Sequence, residues 1–246
     1  MQPHVTIKQK IVAKNPPFGG RAVFIGCTTL AQDAQGHANA EGELMSSSNL
    51  VRLGGGLASA SAGILLLVGH LLNLGGDPEY GTVLGSLSVL TAHVLLVFAL
   101  VALYMAQAEH IGLLGTLGMF LSVVGTTLVS GVILVEIAGA SGAEVGAVLE
   151  AGLTGALALL AGLAFLIGLI LLGVATMRAG VFPYWAGVLL ISGDVVFGAA
   201  SFAGAASLVV EVVGALITCV AFVWLGLALF WETRSGASVG QPVQVS

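Results

Sequence analysis

The chain has 246 residues, 57% of them hydrophobic and only 8% charged, and its mean hydropathy is +1.07. Soluble domains carry roughly a quarter charged residues, so composition alone excludes an ordinary water-soluble protein and indicates one that lives in a bilayer. The net charge of −5 sits almost wholly in loops and termini, and without a basic patch beyond Lys8, Lys10, Lys14 and Arg21 nothing points to a nucleic-acid partner.

Residues 1–49 are polar and mixed, with Pro16-Pro17, Gly19-Gly20 and the acidic pair Glu41 and Glu43. Their only apolar run, 22–30, is too short to span a membrane, and the segment reads as a flexible cytoplasmic tail. Phe24-Ile25-Gly26-Cys27 has the outline of a lipoprotein cleavage site, but the apolar part is too short for a signal peptide. Met45 offers an alternative start, which would leave residues 1–44 outside the native protein. Cys27 and Cys219 stand in very different settings and suggest neither a disulfide nor a metal site.

Six apolar runs follow, at 53–74, 84–105, 113–137, 152–176, 184–204 and 208–230. Each approaches the ~20 residues that a helix needs to cross the hydrocarbon core, and only a helix satisfies its own backbone in lipid. The expected fold is therefore all-α: a polytopic transmembrane bundle of six spans over 50–232, with a short cytoplasmic C-terminal tail at 233–246. After the N-terminal tail the only basic residues are Arg52, Arg178 and Arg234, and six spans put all three on one side. The opposite loops carry Asp77, Glu79, Glu144 and Glu150 and no Lys or Arg. The positive-inside rule then places both termini in the cytoplasm. Tyr104, Tyr184, Trp185 and Trp231 fall near the same interface, where aromatic belts form.

The spans read as three helical hairpins. Even-numbered spans end alike, at Ala108-Glu109-His110-Ile111-Gly112, Thr176-Met177-Arg178-Ala179-Gly180 and Glu232-Thr233-Arg234-Ser235-Gly236. Small residues recur every seven positions in three spans: Gly55, Ala62 and Gly69; Gly85, Ala92, Ala99 and Ala106; Ala186, Gly193 and Ala200. Such stripes let helices approach closely, which drives packing where apolar side chains gain nothing by leaving lipid.

One position past a stripe residue in each of these spans stands the only ionisable side chain of its interior: His70, His93 and Asp194. Charge at that depth is costly and by default raises a functional hypothesis. Asp194 is ten residues from Tyr184, and His93 about ten from the start of its span, so each lies roughly 15 Å deep, near the midplane. The two form a candidate intramembrane polar pair. His70 has a depth similar to Glu136 and Glu211, and these three form a candidate outer polar cluster, read as polar packing rather than a zinc site. Segment 112–118, GLLGTLG, has dinucleotide-fingerprint spacing, but it enters a membrane helix without a preceding strand. No catalytic or cofactor motif is present, so the candidate site carries no catalytic residue, no metal and no cofactor.

The hairpin junction Met177-Arg178-Ala179-Gly180-Val181-Phe182-Pro183-Tyr184-Trp185-Ala186-Gly187, together with Thr91-Ala92-His93, resembles uncharacterised prokaryotic multi-pass membrane proteins. The similarity runs from about Val51 to Glu232. It implies a six-span helical fold in a prokaryotic plasma membrane and transfers no catalytic residue. The leading expectation is a small non-enzymatic structural, accessory or signalling component, able to associate with itself or with other membrane proteins. The alternative is a small proton-coupled transporter or channel using Asp194 and His93.

Overall fold

The computed structural model describes residues 49–150 and 152–237, except for the side chains of residues 150 and 232–237. The tail with Cys27 and Met45, the Glu150 and Arg234 side chains and residues 238–246 lie outside the described residues.

The apolar runs become six helical spans long enough to cross a membrane: α1 (Asn49–Asn73), α2 (Val83–Gln107), α3 (Gly112–Ala140), α5 (Gly152–Ala179), α6 (Tyr184–Ala199, which reaches spanning length with the 3-10 turn that follows it to Phe202) and α7 (Ser207–Ala237). A five-residue helix, α4 (Gly146–Glu150), sits in the loop before α5. No β-sheet forms among the described residues, where pairing is limited to an isolated bridge between Asp77 and Gly81. The fifth run departs from its expected end at residue 204. Its α-helix closes at Ala199, and two short 3-10 turns, Ala200–Phe202 and Gly204–Ala206, tighten the chain into α7.

Consecutive spans pack side by side, α2 on α3, α3 on α5, α5 on α6 and α6 on α7. At the start of the chain Gly55 of α1 meets Ala102 of α2, and Gly69 approaches the Gly85 carbonyl. On its other side α1 closes against α7: Gly56 lies at Gly226, and the Ser59 hydroxyl donates to the Phe222 carbonyl at 2.7 Å. The spans thus form a closed ring. Residues 56 and 226 meet, so both ends of the described chain leave the bundle at one end, beside Arg52 and Arg178. Tyr184, Trp185 and Trp231 are exposed at that arginine end. Asp77, Glu79 and Glu144 mark the opposite, acidic end.

Small residues set how close the helices come. Each of the three stripes buries alanines, with Ala62, Ala92, Ala99 and Ala186 fully covered and Ala200 nearly so. The tightest contact is between α3 and α5, where Gly118 and Gly125 lie against the α5 backbone at Leu172 and Phe165. Their seven-residue spacing, and that of Ala161, Gly168 and Ala175 on α5, is the same device in two spans where it was not anticipated. Large side chains such as Phe98, Leu113 and Leu159 point outward, exposed to lipid.

The two halves of the ring differ. The arginine half is filled by Leu96, Leu100, Leu172, Phe222, Leu225 and Leu229, each at most 1% exposed. The acidic half is braced by the α1–α2 loop. Asp77 Oδ1 accepts from the Glu79 and Tyr80 amides at 2.8 and 3.1 Å, an Asx turn. Gly81 supplies the left-handed backbone, φ +68°, that reverses the chain. Asn73 Oδ1 accepts from the Thr82 amide at 2.9 Å, and Thr82 caps α2 by accepting from the Gly85 amide at 3.0 Å. Tyr80 is thereby held over Gly139 of α3.

Candidate functional site

The small residues bring the helix backbones together, but at the acidic half the interior is left unfilled. A cavity of about 300 Å³ opens there, running from loop residues Pro78–Gly81 towards the middle of the bundle. All six spans line it. Its ionisable groups are Glu79 from the loop, His70 from α1, His93 from α2, Glu136 from α3, Asp194 from α6 and Glu211 from α7, while α5 contributes Gly162, Phe165 and Leu169. Every intramembrane residue singled out as a candidate therefore faces one space. Among the described residues no arginine or lysine lines it.

Near the mouth, Glu211 Oε2 is 3.6 Å from His70 Nδ1. Glu136 is close enough to interact electrostatically with both Glu211 and His70. The His70 ring also packs edge-on to Phe197, with centroids 4.9 Å apart. Its Nε2 is buried and has no hydrogen-bond partner.

Deeper in, His93 is 5% exposed and its Nδ1 lies 2.7 Å from the Thr126 hydroxyl of α3. That hydroxyl also reaches the His93 carbonyl at 3.3 Å. When Thr126 donates to the carbonyl, it accepts from Nδ1–H, and Nε2 carries the lone pair. Phe165 of α5 packs against the same ring at 5.3 Å. Thr126 was not foreseen as a partner, because nothing in the sequence aligns α3 rotationally with α2.

Asp194 is 4% exposed, and its Oδ2 is buried with no hydrogen-bond partner among the described residues. The preceding residue, Gly193, is pressed against Thr218 of α7, so the helix is fixed where the carboxyl meets the cavity. His93 and Asp194 line the same space, but among the described residues no hydrogen bond or ion pair joins them; His93 bonds Thr126 instead. The candidate pair is two groups facing one cavity, separate from each other. A buried polar atom left without a partner costs on the order of 1–3 kcal/mol, and most proteins eliminate it.

Phe165 and Phe197 were read from the sequence only as apolar span residues. Their place beside the two imidazoles makes the cavity part aromatic, and Tyr80 adds a third ring at its mouth. Among the described residues no group of three or more His, Cys, Asp or Glu side chains is arranged to hold a metal ion. Cys219 is a buried free thiol on α7.

These features define a polytopic α-helical membrane protein of six spans with a polar cavity in one half of its ring. Comparison with protein-family models, with curated proteins and with solved structures gives no match. The resemblance to uncharacterised prokaryotic six-span proteins therefore rests on the junction and His93 motifs alone.

Proposed function

We propose that this chain is a non-enzymatic membrane protein that binds a small solute inside its bundle and moves it across, with Asp194 and His93 as the titrating groups that couple the movement to protons. The observation that carries this reading is Asp194, which lines a cavity large enough for a ligand and whose buried Oδ2 has no hydrogen-bond partner among the described residues. Proton-coupled carriers use such intramembrane Asp and His groups. In proteoliposomes, the native chain should dissipate an imposed proton gradient. Asp194→Asn and His93→Ala should each cut that flux at least tenfold while eluting as folded protein. Undiminished flux in both variants would remove the coupling role.

A second reading is an accessory or signalling component in which the cavity binds but does not transport. The closely packed arginine half, built from unbroken helices, supports it. Solute binding without flux is the outcome that selects it.

The arrangement of charge supports an orientation with the arginine end in the cytoplasm of a prokaryotic cell. A membrane-impermeant maleimide applied to intact cells should label Glu144→Cys and leave Arg178→Cys unlabelled. The reverse pattern would turn the protein over and put the cavity mouth inside.

A further inference from the structure

We propose that the cavity takes a small organic monocation, an amine or quaternary ammonium with an apolar body, with Asp194 as its counter-charge. This rests on the reading that the cavity binds a solute, and adds the class of that solute.

Charge selects first. Among the described residues the lining holds the carboxyl groups of Glu79, Glu136, Glu211 and Asp194 against two imidazoles and no Lys or Arg. An anion entering past Glu136 and Glu211 meets like charge at the mouth and finds no fixed cation below it. Depth selects next. Asp194 is 96% buried by its 4% exposure, and its Oδ2 has no protein partner. Asp194 lines the cavity, so a bound cation takes its carboxyl group as counter-charge, with charge-assisted hydrogen bonding added if the cation carries N–H. The walls select the rest. Phe165 and Phe197 stand beside the polar groups, with Leu66 and Val89 lining the space between them. Aromatic faces attract ammonium groups, most strongly where water is excluded. A bare inorganic cation gains nothing from these walls, and the described residues offer it no set of three ligands. A volume of about 300 Å³ suits a compact ligand.

The test uses the full chain in nanodiscs with Cys27 and Cys219 replaced by alanine. Ala215→Cys then supplies a single thiol within the cavity lining. Three probes share a benzyl body with a compact tetrahedral head: benzyltrimethylammonium, its neutral isostere neopentylbenzene, and the anion phenylmethanesulfonate. A small methanethiosulfonate should modify the thiol. Benzyltrimethylammonium should slow that modification at least tenfold, and the other two should not. Modification with equal protection by the neutral isostere, or with no protection by any probe, overturns the cation assignment and leaves the cavity reading standing. No modification at all overturns the cavity reading and this proposal with it. Direct binding gives an independent measure: Asp194→Asn should weaken benzyltrimethylammonium at least tenfold at unchanged Tm, and unchanged affinity would again overturn the assignment. Should that variant fail to fold, the thiol-protection result on the native carboxyl decides alone.

Discussion

Asp194→Leu is expected to raise the thermal stability of the purified bundle while eliminating solute binding. Oδ2 of the native residue is buried without a partner, a state that costs on the order of 1–3 kcal/mol. The side chain lines the cavity, so leucine has adjoining space to fill and need not push α6 off α7. The gain should appear as a Tm increase of several degrees, since roughly 1 kcal/mol moves a domain of this size by about 2–4 °C. Differential scanning fluorimetry in detergent reads it. A packing role for Asp194, as a register lock between helices, predicts the opposite sign. A lower Tm in Asp194→Leu would therefore sink the ligand reading of this residue. Higher stability with lost function is the usual signature of a site kept under strain for activity.

A large structural effect should come from Gly118→Leu. A Cβ at that position would stand 2.6 Å from the Leu172 backbone nitrogen and 3.0 Å from the Gly168 carbonyl oxygen. Backbone cannot rotate away as a side chain can, so α3 and α5 must separate. Overpacking typically costs 1–3 kcal/mol when side chains absorb it, and here the cost should exceed about 3 kcal/mol. Loss of monodisperse protein on size exclusion is the expected readout. Gly131 on the same helix has nothing within 4 Å of the point where a Cβ would stand, and Gly131→Leu should change stability by only about 0.5 kcal/mol. Equal yields of the two variants would show that close α3–α5 contact does not hold the ring together.

What could be read from the chain, and what could not, divides along a physical line. Depth along a helix follows from counting residues, so the six spans and the levels of His70, His93 and Asp194 were legible. Rotation about the helix axis and the choice of neighbour are properties of the assembled ring. Hence Thr126 was missed as the partner of His93, and whether the candidate pair His93 and Asp194 would bond each other could not be read from depth alone. Apolar patterning could not have revealed Phe165 and Phe197 either. In a membrane helix the inward and outward faces are both apolar, and periodicity loses the contrast it has in water. The seven-residue spacing of Gly118 and Gly125 was present all along. Its significance depends on the α5 backbone lying opposite, which spacing alone does not disclose.

The filled arginine half also has an electrical consequence. A cavity open to one compartment carries that compartment's potential down to the depth that ions or solute reach. The transmembrane voltage must then fall mainly across the leucine- and phenylalanine-filled layer beyond Asp194, roughly 15 Å, or half the hydrocarbon thickness. The local field there is about twice that across an unmodified bilayer. A monovalent solute reaching Asp194 has crossed little of it, whereas passage through the filled layer carries most of the ~2.3 kcal/mol per 100 mV. Loading should be nearly indifferent to membrane voltage, and release on the far side should be steeply sensitive to it.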